Sequence, residues 1–165
     1  MKFLNIIVAL PLLAATVTAN AQSNVTGEVN LDVEAKNVIS AAIGNRSDSE
    51  VNLGAISGSN VNGDVDIKVK TDNVISAAIG NRSSSEVSMG AIMDSDVGGA
   101  VEVDVQAKNV ISAAIGNRTD SMVRMGAVKD SEIGGGFTSK VKADNVISAA
   151  IGNRSSSKVR MGSVD

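Results

Sequence analysis

The sequence predicts an all-β fold: four 36-residue repeats stacked in register as a parallel β-solenoid of the cross-β type, uncapped at both ends. Three observations carry that prediction. The decamer NVISAAIGNR begins, unchanged, at Asn37, Asn73, Asn109 and Asn145, and no insertion disturbs the spacing. Apolar and polar residues on either side of it alternate with period two, the mark of a strand with one buried face. The units are rich in Val, Ile, Ser, Asn and Gly, which suit strands and turns, whereas helical repeats of this length depend on helix formers and aromatics.

The chain opens with MKFLNIIVALPLLAATVTANA: one cation at Lys2, an apolar run over 3–15, and Ala19 and Ala21 around Asn20. That is the pattern of a secretory signal peptide, residues 1–21, with cleavage before Gln22. The apolar run is too short for a bilayer, which takes about 20 residues, so no membrane insertion is expected once the leader is gone. Residues 22–165 then form a single repeat domain with units 23–58, 59–94, 95–130 and 131–165, the last one residue short.

Within the first unit, Val25, Gly27, Val29, Leu31, Val33 and Ala35 alternate with polar residues and read as a first strand. A second, more apolar strand is expected over 38–43, with Ile39 and Ile43 building apolar ladders inside. GNRSDS follows as a turn, Gly44 and Asn45 supplying the permissive backbone. Val51, Leu53 and Ala55 begin a third alternation, joined inside by Met89, Met125 and Met161 of later copies. The absence of Pro beyond residue 11 agrees with unbroken hydrogen-bond ladders. Repeat length leaves open one wide rung or two narrower coils per unit; adjacent opposite charges favour one. The fourth copy, with Phe137 for Val29 and Ser139 for Leu31, is expected to be the least regular.

Composition narrows the chemistry. Losing the leader removes Lys2 and no acid, leaving 14 cations against 18 anions, a net charge of −4. No basic stripe of the kind a nucleic-acid binder needs is present. The chain has no Cys, His, Trp or Tyr, and beyond the leader Phe137 is its single aromatic. Without His or Cys it lacks the usual general base, a thiolate nucleophile and soft metal ligands. A carboxylate pair would still serve a glycosidase, but the aromatic platforms of such a site are missing. The reading is a non-catalytic protein with no cofactor and no metal.

Comparing the four copies column by column shows what stacking would require. Asp32, Lys68, Asp104 and Lys140 share one column, and Lys36, Asp72, Lys108 and Asp144 another; the sign alternates at every step. With rungs about 4.8 Å apart, alternation replaces repulsion with attraction. A 72-residue duplication explains why copies one and three are alike, and two and four, but not why signs oppose within each half. Asn37, Asn73, Asn109 and Asn145 are expected to form an amide ladder, as are Asn45, Asn81, Asn117 and Asn153. Arg46, Arg82, Arg118 and Arg154 make a row of like charge. It reads either as a basic line gripping an acidic polymer or sister filament, or as a solvated ladder balanced by Asp48, Asp120, Glu50 and Glu86, which the sequence favours. Asn45-Arg46-Ser47, its counterparts and Asn24-Val25-Thr26 match the N-glycosylation sequon, but the lysine-led leader and repeat style point to a bacterium, where turn chemistry explains those asparagines.

In architecture the chain resembles the secreted bacterial functional amyloids, the curli subunits and the Fap subunits of pseudomonads. The strand G-x-V-x-L-x-V at 27–33 followed by N-V-x-x-A-A-x-G-N at 37–45 is similar in style to Fap repeats, and the likeness covers all four units. The resemblance implies extracellular fibres for biofilm matrix or cell-surface adhesion, a nucleator subunit and an outer-membrane exporter as partners, and no catalysis. Residues 22–165 equal four times 36, which leaves no room for a capping element, and placing Lys140, Lys142 and Asp144 against Asp32, Glu34 and Lys36 of another copy continues the alternation. A homopolymer assembled head to tail after export is therefore expected. The alternative is a monomeric β-solenoid adhesin that presents one regular face to a glycan or other surface.

Overall fold

A computed structural model describes residues 18–20 and 24–165. Among these, every element is a β-strand, and the chain winds as a parallel β-solenoid with one repeat per turn. Each 36-residue unit is thus one wide rung.

Each rung is dominated by a 15-residue strand: β3 (Val29–Ile43), β7 (Val65–Ile79), β11 (Val101–Ile115) and β15 (Phe137–Ile151). The chain turns back into β4 (Asp48–Leu53), β8 (Ser84–Met89), β12 (Asp120–Met125) and β16 (Ser156–Met161). Short strands β5 (Ala55–Ser57), β9 (Ile92–Met93) and β13 (Val128–Lys129) come next. Then β2 (Asn24–Thr26), β6 (Asn60–Asn62), β10 (Asp96–Val97) and β14 (Glu132–Ile133) lead into each long strand. Each strand pairs with its equivalents in the rungs above and below, giving four parallel sheets.

The register is a constant 36 residues, Asn37 on Asn73 on Asn109 on Asn145. The exception is β1 (Thr18–Asn20), which lies on β5 with Thr18 opposite Ala55, 37 residues on, whereas Ile56 faces Ile92, 36 on. β1 falls within the expected leader; the rest of that leader, and the cleavage point before Gln22, lie outside the described residues.

The first two expected strands are one. In β7, Val65, Ile67, Val69 and Thr71 point inward; Asp72 and Asn73 then both face out, and Val74, Ser76 and Ala78 point inward. Two successive outward residues reverse the phase of the alternation, as a bulge does. This corrects the expectation for Ile39 and Ile43, which lie outside, 56% and 82% exposed, as do Ile79, Ile115, Ile147 and Ile151. The inward places beside the turn hold Ser and Ala, because the two layers of the rung close together there: Ser40 reaches Ser49 across the interior at 3.0 Å.

Farther from the turn the interior widens and is filled by Leu53, Ile67, Val69, Met89, Ile92, Val105, Val123 and Met125, each at most 1% exposed. Burial of each such side chain stabilises the fold by about 1.5–3 kcal/mol, which is how a chain without disulfides holds together. Two glycine columns make this packing possible. A Cβ on Gly80 would lie 1.6 Å from the Gly44 carbonyl oxygen, and one on Gly90 would lie 2.7 Å from Val103 Cγ1. The invariant Gly of the decamer is therefore a condition of rung-on-rung approach.

Candidate functional site

Four groups of residues run the length of the stack as lines, and each answers a different physical demand.

The first is the asparagine line at the phase change. Asn73 Nδ2 donates to Asn37 Oδ1 at 2.7 Å, Asn109 to Asn73 at 2.8 Å and Asn145 to Asn109 at 2.9 Å. Every amide points the same way. Among the described residues, Asn37 Nδ2 at one end has no acceptor and Asn145 Oδ1 at the other has no donor. The second expected ladder is mostly unmade: Asn81 reaches Asn45 at 3.5 Å, and no amide bond joins Asn117 or Asn153 to a neighbour. The backbone of that corner remains laddered, with the Arg46, Arg82 and Arg118 N–H groups donating to the carbonyls of Asn81, Asn117 and Asn153 at 2.7 Å.

The second is a line of hydroxyls that sequence reasoning missed. Ser49 Oγ lies 3.0 Å from Ser40 Oγ and 2.9 Å from Ser76 Oγ; Ser85 joins Ser76 to Ser112, both at 2.9 Å; Ser121 joins Ser112 to Ser148; and Ser157 lies 3.0 Å from Ser148. Ser76, Ser85, Ser112 and Ser121 are buried. Their hydroxyls satisfy one another and nearby carbonyls, as buried polar groups must. The signal was in the invariant Ser of the decamer and a second hydroxyl column nine residues later.

The charged columns behave unequally. Asp32, Lys68, Asp104 and Lys140 lie in register, but Lys68 pairs with Asp66 of its own strand at 2.6 Å and Lys140 with Glu102 at 3.1 Å. The hydrogen bond from Lys68 to Asp66 is also the main reason its ammonium is held above the usual lysine range. In the other column Lys108 meets Asp72 directly at 2.8 Å; this bond keeps the Asp72 carboxyl below its ordinary range and raises Lys108. Lys36 and Asp144 add weaker attraction from the ends. Between them runs Glu34 to Lys70 at 3.6 Å.

The last line is the arginine row. Arg46, Arg82, Arg118 and Arg154 sit at the turn with φ of 61°, 60°, 57° and 58°. The left-handed residue of the turn is thus the arginine, with the decamer's glycine also at positive φ, and not Asn45. Such a conformation costs a non-glycine residue on the order of 1 kcal/mol. Among the described residues, none of the acids expected to balance the row forms a direct ion pair with it. Glu86 binds Ser88 and Arg124, Glu50 accepts from Asn52, and none of the ion pairs among the described residues includes Arg46, Arg82, Arg118 or Arg154. Instead Arg82, Arg118 and Arg154, with Asn81, Asn117 and Asn153, line an open groove of about 500 Å³.

The two ends of the stack differ. On the last rung Val159, Met161 and Val164 are exposed, whereas their equivalents on the first rung, Val51, Leu53 and Ile56, are buried. No protein-family model, curated protein or solved structure matches the chain.

Proposed function

We propose that the protein is a secreted, non-catalytic structural subunit that assembles head to tail into extracellular cross-β fibres, of the kind that build a biofilm matrix or mediate surface adhesion. The observation that carries this reading is the one-directional asparagine line, with a free donor at Asn37 and a free acceptor at Asn145. The contact that joins each rung to the next is the same contact throughout, so a second copy placed beyond the last rung meets nothing new. Its Asn37 would donate to Asn145, its Ser40 would extend the hydroxyl line from Ser157, and its Ile56 would cover Val164 as Ile92 covers Ile56. Such a heterologous contact does not close on itself and yields a filament.

The strand Thr18–Asn20 occupies the slot on Ala55–Ser57 that residues 163–165 of another copy would take in the 36-residue register. Loss of the leader would free it. The outward Ile columns at 39 and 43, flanking Ala41, leave each filament with an apolar stripe, and stripes of this kind bring filaments together side by side.

Electron microscopy and fibre diffraction on residues 22–165, diluted from denaturant at several concentrations, test the proposal. Filaments with a meridional spacing of about 4.8 Å are the expected result. A folded monomer that persists at high concentration would overturn it and favour the second reading, a solenoid adhesin, for which the exposed Ile stripe is the specific observation.

A further inference from the structure

We propose that the arginine row is a binding site for a linear acidic polysaccharide, laid along the stack with one anionic group per rung. This goes beyond the fibre reading and does not depend on it, because a single copy already presents four rungs.

Four observations converge on this row. Of all the columns of the repeat, it is the one that carries four charges of a single sign. The other charged columns alternate, mix or lapse into neutral residues, so none of them sets like charges together through all four rungs. The four arginines hold a backbone conformation that glycine would adopt without strain, and they hold it in every copy. No ion pair among the described residues includes them, and Glu50 and Glu86 are engaged by Asn52, Ser88 and Arg124. Stability therefore gains nothing evident from these side chains, and features kept against local stability point to function.

The chemistry of the row selects the ligand. A guanidinium presents a planar fork that matches a carboxylate or sulfate in two parallel hydrogen bonds. Beside it, the Asn117 and Asn153 amides are free of the ladder that Asn37, Asn73, Asn109 and Asn145 make, and each offers both a donor and an acceptor, as sugar hydroxyls require. The rung spacing of about 4.8 Å is close to the length of one pyranose residue in an extended chain. Nucleic acid fits less well, because single strands are held by aromatic stacking platforms and this chain has no Trp or Tyr. A second filament fits less well too, because no column of the repeat is acidic in all four copies. The chain's net charge of −3 means that a polyanion is not drawn in non-specifically.

The test titrates the purified protein with a linear polyuronate, a neutral polysaccharide, and single-stranded and duplex DNA at several salt concentrations. Two double variants accompany it: R82G/R118G, which relaxes the backbone and removes two charges, and R82K/R118K, which keeps the charge but not the fork. The polyuronate should bind and the neutral chain should not. R82G/R118G should lower the affinity by roughly tenfold or more and cut the slope of log affinity against log salt by about half, while the unfolding midpoint stays level or rises. R82K/R118K should fall between the two. Failure of the polyuronate to bind at low salt would overturn the proposal. So would a lowered midpoint with unchanged affinity in R82G/R118G, which would make the row structural, and so would equal binding of DNA, which would reduce the row to a reader of charge alone.

Discussion

The two halves of the long strand answer to the same interior but to different exteriors. Their inward residues obey a common rule: Ile67 and Val69 before the phase change, Val74 and Ala78 after it, are all buried. Outward, the first half changes from copy to copy, as Asp32, Lys68, Asp104 and Lys140 show, with Glu34, Lys70, Gln106 and Lys142 beside them. The outward residues of the second half, Ile39, Ala41 and Ile43 and their equivalents, never vary, and most of the Ile are well exposed. An exterior that only has to be soluble tolerates change, so a fixed and apolar exterior marks a surface with work to do.

The sharpest way to break this comparison is at the glycine that ends the second half. Gly80→Ala places a Cβ 1.6 Å from the Gly44 carbonyl oxygen at a φ of +152°. The expected loss is about 4 kcal/mol or more, read as a collapse of the urea midpoint. Asp104→Ala, on the tolerant exterior, should stay within about 0.5 kcal/mol; a comparable loss there would erase the distinction.

Next in size is the hydroxyl line. Ser112→Ala removes the partner of both Ser85 and Ser121 and should cost roughly 1–3 kcal/mol, measured by chemical denaturation. An unchanged midpoint would mean that those hydroxyls are satisfied by the neighbouring carbonyls alone.

A smaller effect on folding, with a larger one on association, is expected at the apolar stripe. Ile79→Thr with Ile115→Thr should alter the unfolding free energy by no more than about 0.5 kcal/mol, yet sedimentation and microscopy should show filaments that no longer lie side by side. A large loss of stability would instead place these side chains among the contributors to the core.

The smallest effect belongs to the pair Asp72 and Lys108. Because the Lys108 ammonium depresses the Asp72 carboxyl, its contribution is present above the ordinary Asp value of about 4 and is lost as pH falls through the depressed one. Lys108 is raised, so its share is present below about 10.4 and is lost as pH rises through the raised value. The difference in midpoint between the native chain and D72N should be flat between those limits and vanish beyond each.

Much of this was legible in the sequence. The 36-residue period, the strand content and the column register all follow from the copies themselves, since identical segments stacked in a ladder have one natural alignment. The phase change was not read, although Lys36-Asn37 are two polar residues in succession and break the period of two. Taking the decamer as an independent strand put Ile39 and Ile43 inside by hydrophobicity, when the narrow interior beside the turn accepts only Ser and Ala. The Ser40 and Ser49 contact joins two layers and has no signature along the chain. The arginine row was seen, but the pairing of Glu86 with Arg124 on the neighbouring rung was not, because nearness along the chain does not indicate it.

One rung per repeat also sets how the proposed fibre would grow and break. Each copy lengthens it by about 19 Å, four rungs at the strand spacing, so a micrometre of fibre consumes on the order of 500 copies. Within a copy the rungs are linked covalently through the chain, whereas between copies only hydrogen bonds and packing hold. Shear would part the fibre at those junctions, always in whole numbers of copies, and every break would leave two fresh ends able to extend, so that mechanical damage multiplies the sites of growth.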